Sequence, residues 1–195
     1  AVIATGSNNS ARFFDYYFGK YPHIIRKNRN SIAILNGEEN GSDFLELGKD
    51  IFRYFGMGCR NVSKLFVPEG YDFIPFFDGI EGYKEIIQHN KYANNFDYNL
   101  TLLIMGKVKY YQNLFLMLSE NESHASPMSS LYFEYYSDQK ALENKLKKDA
   151  DLIQCVVSKD GFFAGSLPFG KSQEPELWDY ADGIDTLQFL HNLSK

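Results

Sequence analysis

Cys59 is the side chain whose neighbours best suit it to act as a nucleophile. It stands in Gly56-Met57-Gly58-Cys59-Arg60-Asn61, a glycine-rich turn between a helical stretch and an apolar, strand-like one. Free cysteine ionises at about pH 8.5, and a nearby cation such as Arg60 lowers that value. Exposed amides in such a turn can stabilise a developing oxyanion. The plainer alternative is a small residue buried in a loop. Cys155 reads differently. It lies inside Leu152-Ile153-Gln154-Cys155-Val156-Val157, an apolar strand, and is expected in the core. Two cysteines so far apart imply no disulfide framework.

Other spacings carry less chemistry. The run from Gly165 to Ser172 fits the phosphate-binding expression G-x-x-x-x-G-K-[ST]. Such a loop needs a long helix after it and a later strand bearing a magnesium-linked Asp. Pro175 interrupts the chain too early for that, so ATP is not expected to bind. Thr5-Gly6-Ser7 follows a short apolar strand and precedes a helical pattern, and helix N-termini attract anions. The histidines His23, His89, His124 and His191 show no metal-ligand spacing, and Cys59 has no cysteine partner for one, so no metal site is expected. On residue chemistry alone, His23 is an ordinary histidine following Pro22.

The elements that must position these residues are read from periodicity and punctuation. Residues 1–5 form a short apolar strand, expected to be buried. Residues 11–18 follow a helical pattern closed by Gly19. A strand spans 31–35. Ser42 is a suitable N-cap for a helix over 43–55, with Phe44, Leu47, Ile51 and Tyr54 on one face. Strands follow at 62–67, 114–118, 130–136 and 152–157. Helical segments fall at 71–88, broken near Gly79 and Gly82, at 95–107, at 139–148 and in a short patch near 176–180. Strands alternating with helices imply an α/β domain with a largely parallel sheet flanked by helices.

Composition sets the outer bounds. The 195 residues are 44% apolar and 16% aromatic, enough to bury a core, and the net charge of −5 argues against a nucleic-acid partner. Arg26-Lys27-Asn28-Arg29 and Lys145-Leu146-Lys147-Lys148 read as solvated faces. With no signal-like segment and no apolar run long enough to span a bilayer, the cytoplasm is the expected compartment. An apolar strand at residue 1, with no Met before it, suggests a chain cut from a longer one.

Taken together and in order, these segments resemble the aldehyde dehydrogenase superfamily, and within it the LuxC-like fatty acyl-CoA reductases. Ile3-Ala4-Thr5-Gly6-Ser7 is similar to the family's strand and Thr-Gly-Ser turn on the cofactor side. The segment from Arg26 to Leu35 stands where the family has a Glu-Leu-Gly-Gly-Lys strand. Cys59 follows a helix as the family nucleophile does. Leu167-Pro168-Phe169-Gly170-Lys171 resembles the late Pro-Phe-Gly element, a better account of the phosphate-loop pattern. The run from Cys59 to Ser63 and the tail from Phe169 to Gly183 resemble the acyl-CoA reductases in particular.

The resemblance implies an aldehyde-dehydrogenase-type catalytic domain. Residues 1–20 would be the end of a cofactor-binding domain, 21–170 the catalytic domain and 171–195 a C-terminal tail. Its chemistry would be NADPH-dependent reduction of a long-chain fatty acyl-CoA to the aldehyde through a thioacyl-Cys59 intermediate. Gly6, Ser7 and Phe169 would contact the cofactor, and His23 would be the candidate acid–base group. Arg26 falls where aldehyde-oxidising members keep a glutamate that activates water, a departure that disfavours hydrolysis. The family's N-terminal Rossmann-like half is absent from this sequence. Besides the acyl-CoA, an acyl-transferring protein and a second copy of the chain are partners that the resemblance allows. The alternatives are a non-catalytic domain that docks an acyl-transferring partner, and an aldehyde dehydrogenase working in the oxidising direction.

Overall fold

The computed structural model describes residues 1–193. In chain order the elements are β1 (Val2–Thr5), α1 (Asn8–Phe18), β2 (His23–Arg26), β3 (Asn30–Ile34), α2 (Gly41–Phe52), β4 (Val62–Pro68), α3 (Ile74–Gly79), α4 (Asn90–Met105), β5 (Tyr110–Gln112), β6 (Met117–Glu120), β7 (Ser130–Tyr136), α5 (Gln139–Lys148), β8 (Ile153–Ser158), β9 (Leu167–Pro168) and α6 (Thr186–Asn192). They divide into two compact units. One is Asn30–Glu174; the other joins Ala1–Arg29 to the segment from Pro175 onward.

In the smaller unit β1 and β2 pair in parallel, Val2 beside His23 and Thr5 beside Arg26, with α1 as the crossover. Ser7 caps α1 through its hydroxyl, which accepts the Ser10 N–H at 3.1 Å. The N-terminal strand is not buried as its apolar letters suggest, since a two-stranded sheet covers little and Ile3 stays 47% exposed. β2 is a strand that the short sequence His-Ile-Ile-Arg did not disclose. Arg26 donates to Thr186 Oγ1 at 3.0 Å, and Asp182 lies 3.9 Å from Arg26 Nε and 3.4 Å from Arg29 Nε. These basic residues therefore fasten the C-terminal segment to β2 and are not a solvated face.

The larger unit is built on a seven-stranded sheet in the order β5-β6-β7-β4-β3-β8-β9, parallel except for the β5–β6 pair. Central strands of such a sheet are buried on both faces and read as continuous apolar runs. β3 and β4 do so. Ala33, Leu65 and Val67 pack under Phe44, Leu47 and Ile51 of α2, together with Phe76 of α3 and Tyr92 of α4. On the opposite face Ile32, Ile34 and Phe66 pack against Leu142 and Leu146 of α5. This is the α/β architecture, with a mostly parallel sheet flanked by helices, that the alternation of segments implies.

Several boundaries differ from the sequence reading. α2 begins two residues earlier, because Asn40 and Asp43 form a reciprocal capping box and Ser42 is not the cap. It ends at Phe52, not near residue 55, because Tyr54, Phe55 and Gly56 are all left-handed, with φ of 53°, 59° and 74°. Two non-glycine residues there cost about 1–2 kcal/mol each. α4 starts at Asn90 rather than 95. The strand expected at 114–118 lies at Met117–Glu120, with Phe115 and Leu116 buried ahead of it. The patch near 176–180 is not helical; the helix of the tail is α6. Among the described residues no helix is long and apolar enough to cross a membrane.

Candidate active site around Cys59

The Cys59 turn is held from below by one buried amide. The Asn61 side chain is 1% exposed. Its Nδ2 donates to the carbonyls of Asp50 at 2.9 Å and Arg53 at 2.8 Å, with Ile51 at 3.3 Å, so it satisfies the C-terminal carbonyls of α2. Its Oδ1 accepts the Gly58 N–H at 2.8 Å. A Cβ on Gly58 would sit 2.8 Å from that oxygen, which is why glycine is needed there. The Asn61 N–H closes the turn on the Gly58 carbonyl at 3.0 Å. Cys59 is thus the first central residue of the turn. It is exposed, and its own amide lies outside the closing bond.

β3 fixes the other side of the turn. Ser31 is fully buried; its N–H donates to the Asn61 carbonyl at 3.3 Å and its hydroxyl to the Cys59 carbonyl at 3.0 Å. The same Ser31 oxygen lies 2.9 Å from Cys155 Sγ. Cys155 is therefore not a plain core residue, as its apolar strand suggests. The β3–β8 register shifts between Asn30 and Ile32, and this irregularity brings the half-buried thiol to the back of the Cys59 turn. Burial pushes the Cys155 thiol up, while the Ser31 hydroxyl and the Arg60 charge pull the other way. The thiolate is the reactive form, so the two cysteines should differ in rate. Iodoacetamide at neutral pH, followed by peptide mapping, should label Cys59 about tenfold or more faster than Cys155. Preferential labelling of Cys155 in the folded protein would remove the basis for treating Cys59 as the nucleophile.

Phe169, the sequence candidate for the nicotinamide end, is buried in the core with Phe44 and Leu47 and opens a loop clamped to α2 of the same unit. Asp50, with no exposed surface, accepts the Gly170 N–H at 2.7 Å, the Ser172 N–H at 3.0 Å and the Ser172 hydroxyl at 2.7 Å. Burial holds the Asp50 carboxyl above its usual range despite these bonds. Gly170 has φ +81°, and a Cβ there would fall 2.4 Å from Glu46 Oε2. The amides that a phosphate loop would present are thus committed to a carboxylate, and Lys171 pairs with Glu174 at 2.7 Å. The phosphate-loop pattern is accounted for by this clamp.

The remaining sequence candidates lie in the smaller unit. Gly6 precedes the Ser7 cap, and a Cβ on it would come 2.9 Å from Ser10 Cβ. The first turn of α1 carries no acidic residue. His23 is half-buried in β2, its Nδ1 2.8 Å from the Tyr21 carbonyl. Within the unit of Cys59, the histidine packed on the nucleophile segment is His89, whose ring centroid is 4.4 Å from that of Phe55. Phe55 and Gly56 also border a small depression of ≈ 20 Å³ with Ile51, Tyr92, Met128 and Ser129. The positioning roles of Asn61, Ser31 and Asp50 have no signal in the sequence, since each stands beside other polar residues.

No family model matches the chain, and no curated protein matches it by sequence. Solved structures do match in fold. An aldehyde dehydrogenase from Physcomitrella patens, in complex with the reaction product succinate, is 13% identical over 84% of this chain and 40% of its own, with a TM-score of 0.54. An NAD-dependent aldehyde dehydrogenase from Sinorhizobium meliloti is 9% identical over 97% of this chain and 41% of its own, at 0.53. An aldehyde dehydrogenase variant from Pseudomonas syringae, in complex with NAD+ and octanal, is 10% identical over 80% and 40%, at 0.53. The chain has the fold of an aldehyde-dehydrogenase catalytic domain, and it spans about two fifths of the length of these proteins.

Proposed function

We propose that this chain is the catalytic part of a nicotinamide-dependent aldehyde oxidoreductase, and specifically one that reduces a long-chain fatty acyl-CoA to the aldehyde. The observation that carries the reading is the exposed Cys59 on a turn fixed by Asn61 and Ser31, at the sheet end of an aldehyde-dehydrogenase-type fold. The Cys59 thiolate attacks the thioester carbonyl. The carbon–sulfur bond to CoA breaks, CoA leaves as the thiol after taking a proton, and the acyl group stays on Cys59. The Cys59 amide donates to the carbonyl oxygen as charge develops on it.

A bound nicotinamide dinucleotide, NADPH in this reading, would supply the hydride that takes the acyl carbon to the aldehyde level, the bond to Cys59 Sγ breaking to release the aldehyde and return the thiolate. The residues present fit such a group: Gly6 and Ser7 precede a helix whose first turn has no acidic side chain to repel a pyrophosphate. Phe169 is the residue for its nicotinamide end, and His23 the acid–base candidate. Residues 1–20 belong, in this reading, to the cofactor-binding side and 171–195 to a tail segment. Reduction rather than oxidation is favoured at Arg26. Its guanidinium is committed to Thr186 and Asp182 and is no base for activating water.

The test is the full-length protein with palmitoyl-CoA and NADPH, following NADPH loss and trapping the aldehyde as a hydrazone. Aldehyde formed in step with NADPH consumed is the expected result. Oxidation of the aldehyde to acid with no thioester reduction would reverse the assignment of direction.

A further inference from the structure

We infer that Asp50 is a positioning residue that sets the 169–172 loop against the Cys59 turn. The inference deepens the function proposed above and rests on Cys59 being the acylated residue. One hydrogen-bonded path runs from the turn to the loop. Gly58 donates to Asn61, Asn61 donates to the Asp50 carbonyl, and the Asp50 carboxylate accepts from Gly170 and Ser172. Both halves of Asp50 are used, the backbone for the nucleophile and the side chain for the loop that begins at Phe169.

The placement is costly for anything less than a specific task. Asp50 lies in the last turn of α2, where the helix dipole disfavours an anion, and it is completely buried. Desolvation pushes its carboxyl up, and three donated bonds offset part of that. An apolar residue would pack there but would strand the Gly170 and Ser172 amides. Gly170, left-handed and close against Glu46, leaves the loop little room to settle elsewhere. The Asp50 side chain is thus one of three anchors of the loop, beside the pairing of Leu167 and Pro168 with β8 and the burial of Phe169 in the core.

The two chemical steps depend on this clamp unequally. Acylation of Cys59 needs the thiol and the turn. Reduction also needs the Phe169 side of the site in register, and an error of about 1 Å there can cost about a hundredfold. In Asp50→Asn the amide oxygen can accept from Gly170 or from Ser172, while its NH₂ confronts the other donor. Ser172→Ala is the milder variant, removing one hydroxyl and leaving both amide bonds in place.

The experiment uses the full-length protein in three forms: unchanged, Asp50→Asn and Ser172→Ala. Hydrogen exchange at the Gly170 and Ser172 amides is read without any cofactor. Acylation by palmitoyl-CoA and reduction of the preformed acyl-enzyme are then timed separately in single turnovers. In Asp50→Asn both amides should exchange at least about tenfold faster; acylation should change by less than about threefold, and reduction should slow by about tenfold or more. Ser172→Ala should shift reduction in the same direction by a smaller factor. If Asp50→Asn does not fold, Ser172→Ala decides. Unchanged amide protection, or acylation and reduction slowed equally, would overturn the inference. An unchanged protein that forms no adduct on Cys59 would instead bring down the underlying reading, and the positioning role with it.

Discussion

If the proposed function holds, Cys59→Ala should abolish thioester reduction while leaving the fold intact. The side chain is exposed, and the contacts that shape its turn go through backbone atoms: the Cys59 carbonyl accepts from Ser31, and the Gly58 amide and carbonyl are both held by Asn61. None of these needs the thiol. Removing a covalent nucleophile while keeping its surroundings costs about a thousandfold or more in turnover. The measurement is NADPH-dependent aldehyde formation by the full-length variant beside its thermal unfolding. A variant with unchanged unfolding and more than about a tenth of the original turnover would show that the acyl group is carried elsewhere.

Glu134→Gln should cost about 3–5 kcal/mol of stability, because it removes the carboxylate that pairs with a buried lysine. Lys64 has no exposed surface. Its ammonium donates to Glu134 and to the Glu122 carbonyl, each at 2.8 Å, and Lys145 closes on the other Glu134 oxygen. Burial and pairing divide differently between the partners. For Lys64 burial dominates and pulls its pKa down. For Glu134, burial pushes the carboxyl up, but the bonds from Lys145 and Lys64 outweigh it and hold it below its usual range. A carboxylate with a lowered folded pKa contributes stability above its unfolded pKa and loses it as the pH falls through the folded one. Urea titrations should show the wild type weakening on acidification through that range, and Glu134→Gln starting lower and varying less. A variant within about 1 kcal/mol of wild type at neutral pH would mean that Lys64 is compensated by other groups.

Much of the sheet is legible in the sequence because central parallel strands are continuous apolar runs with little else they can be. Ser130–Tyr136 and Gln139–Lys148 lie where the sequence pattern puts them, and Asp138 caps the helix. The misplaced boundaries lie where local chemistry competes. Asn40 outcompetes Ser42 because Asp43 returns its bond, and α2 stops early because three residues in a row adopt left-handed backbone. β2 and β5 are too short for periodicity to register. At the site, Cys59 stands out by its glycine-flanked setting. The groups that hold it do not, since an Asn at the start of a strand and an Asp inside a helix look like ordinary polar interruptions. Their bonds join residues distant in sequence, Asp50 to Ser172 and Ser31 to Cys155. No spacing rule contains such pairs.

The central claim is that a thioester acylates Cys59. The direct measurement is peptide mapping by mass spectrometry after incubating the protein with palmitoyl-CoA and no reductant. The expected result is one palmitoyl group on the peptide that holds Cys59, removed by hydroxylamine as a thioester should be, with Cys155 unmodified. An adduct on Cys155 or elsewhere with Cys59 left free would contradict it.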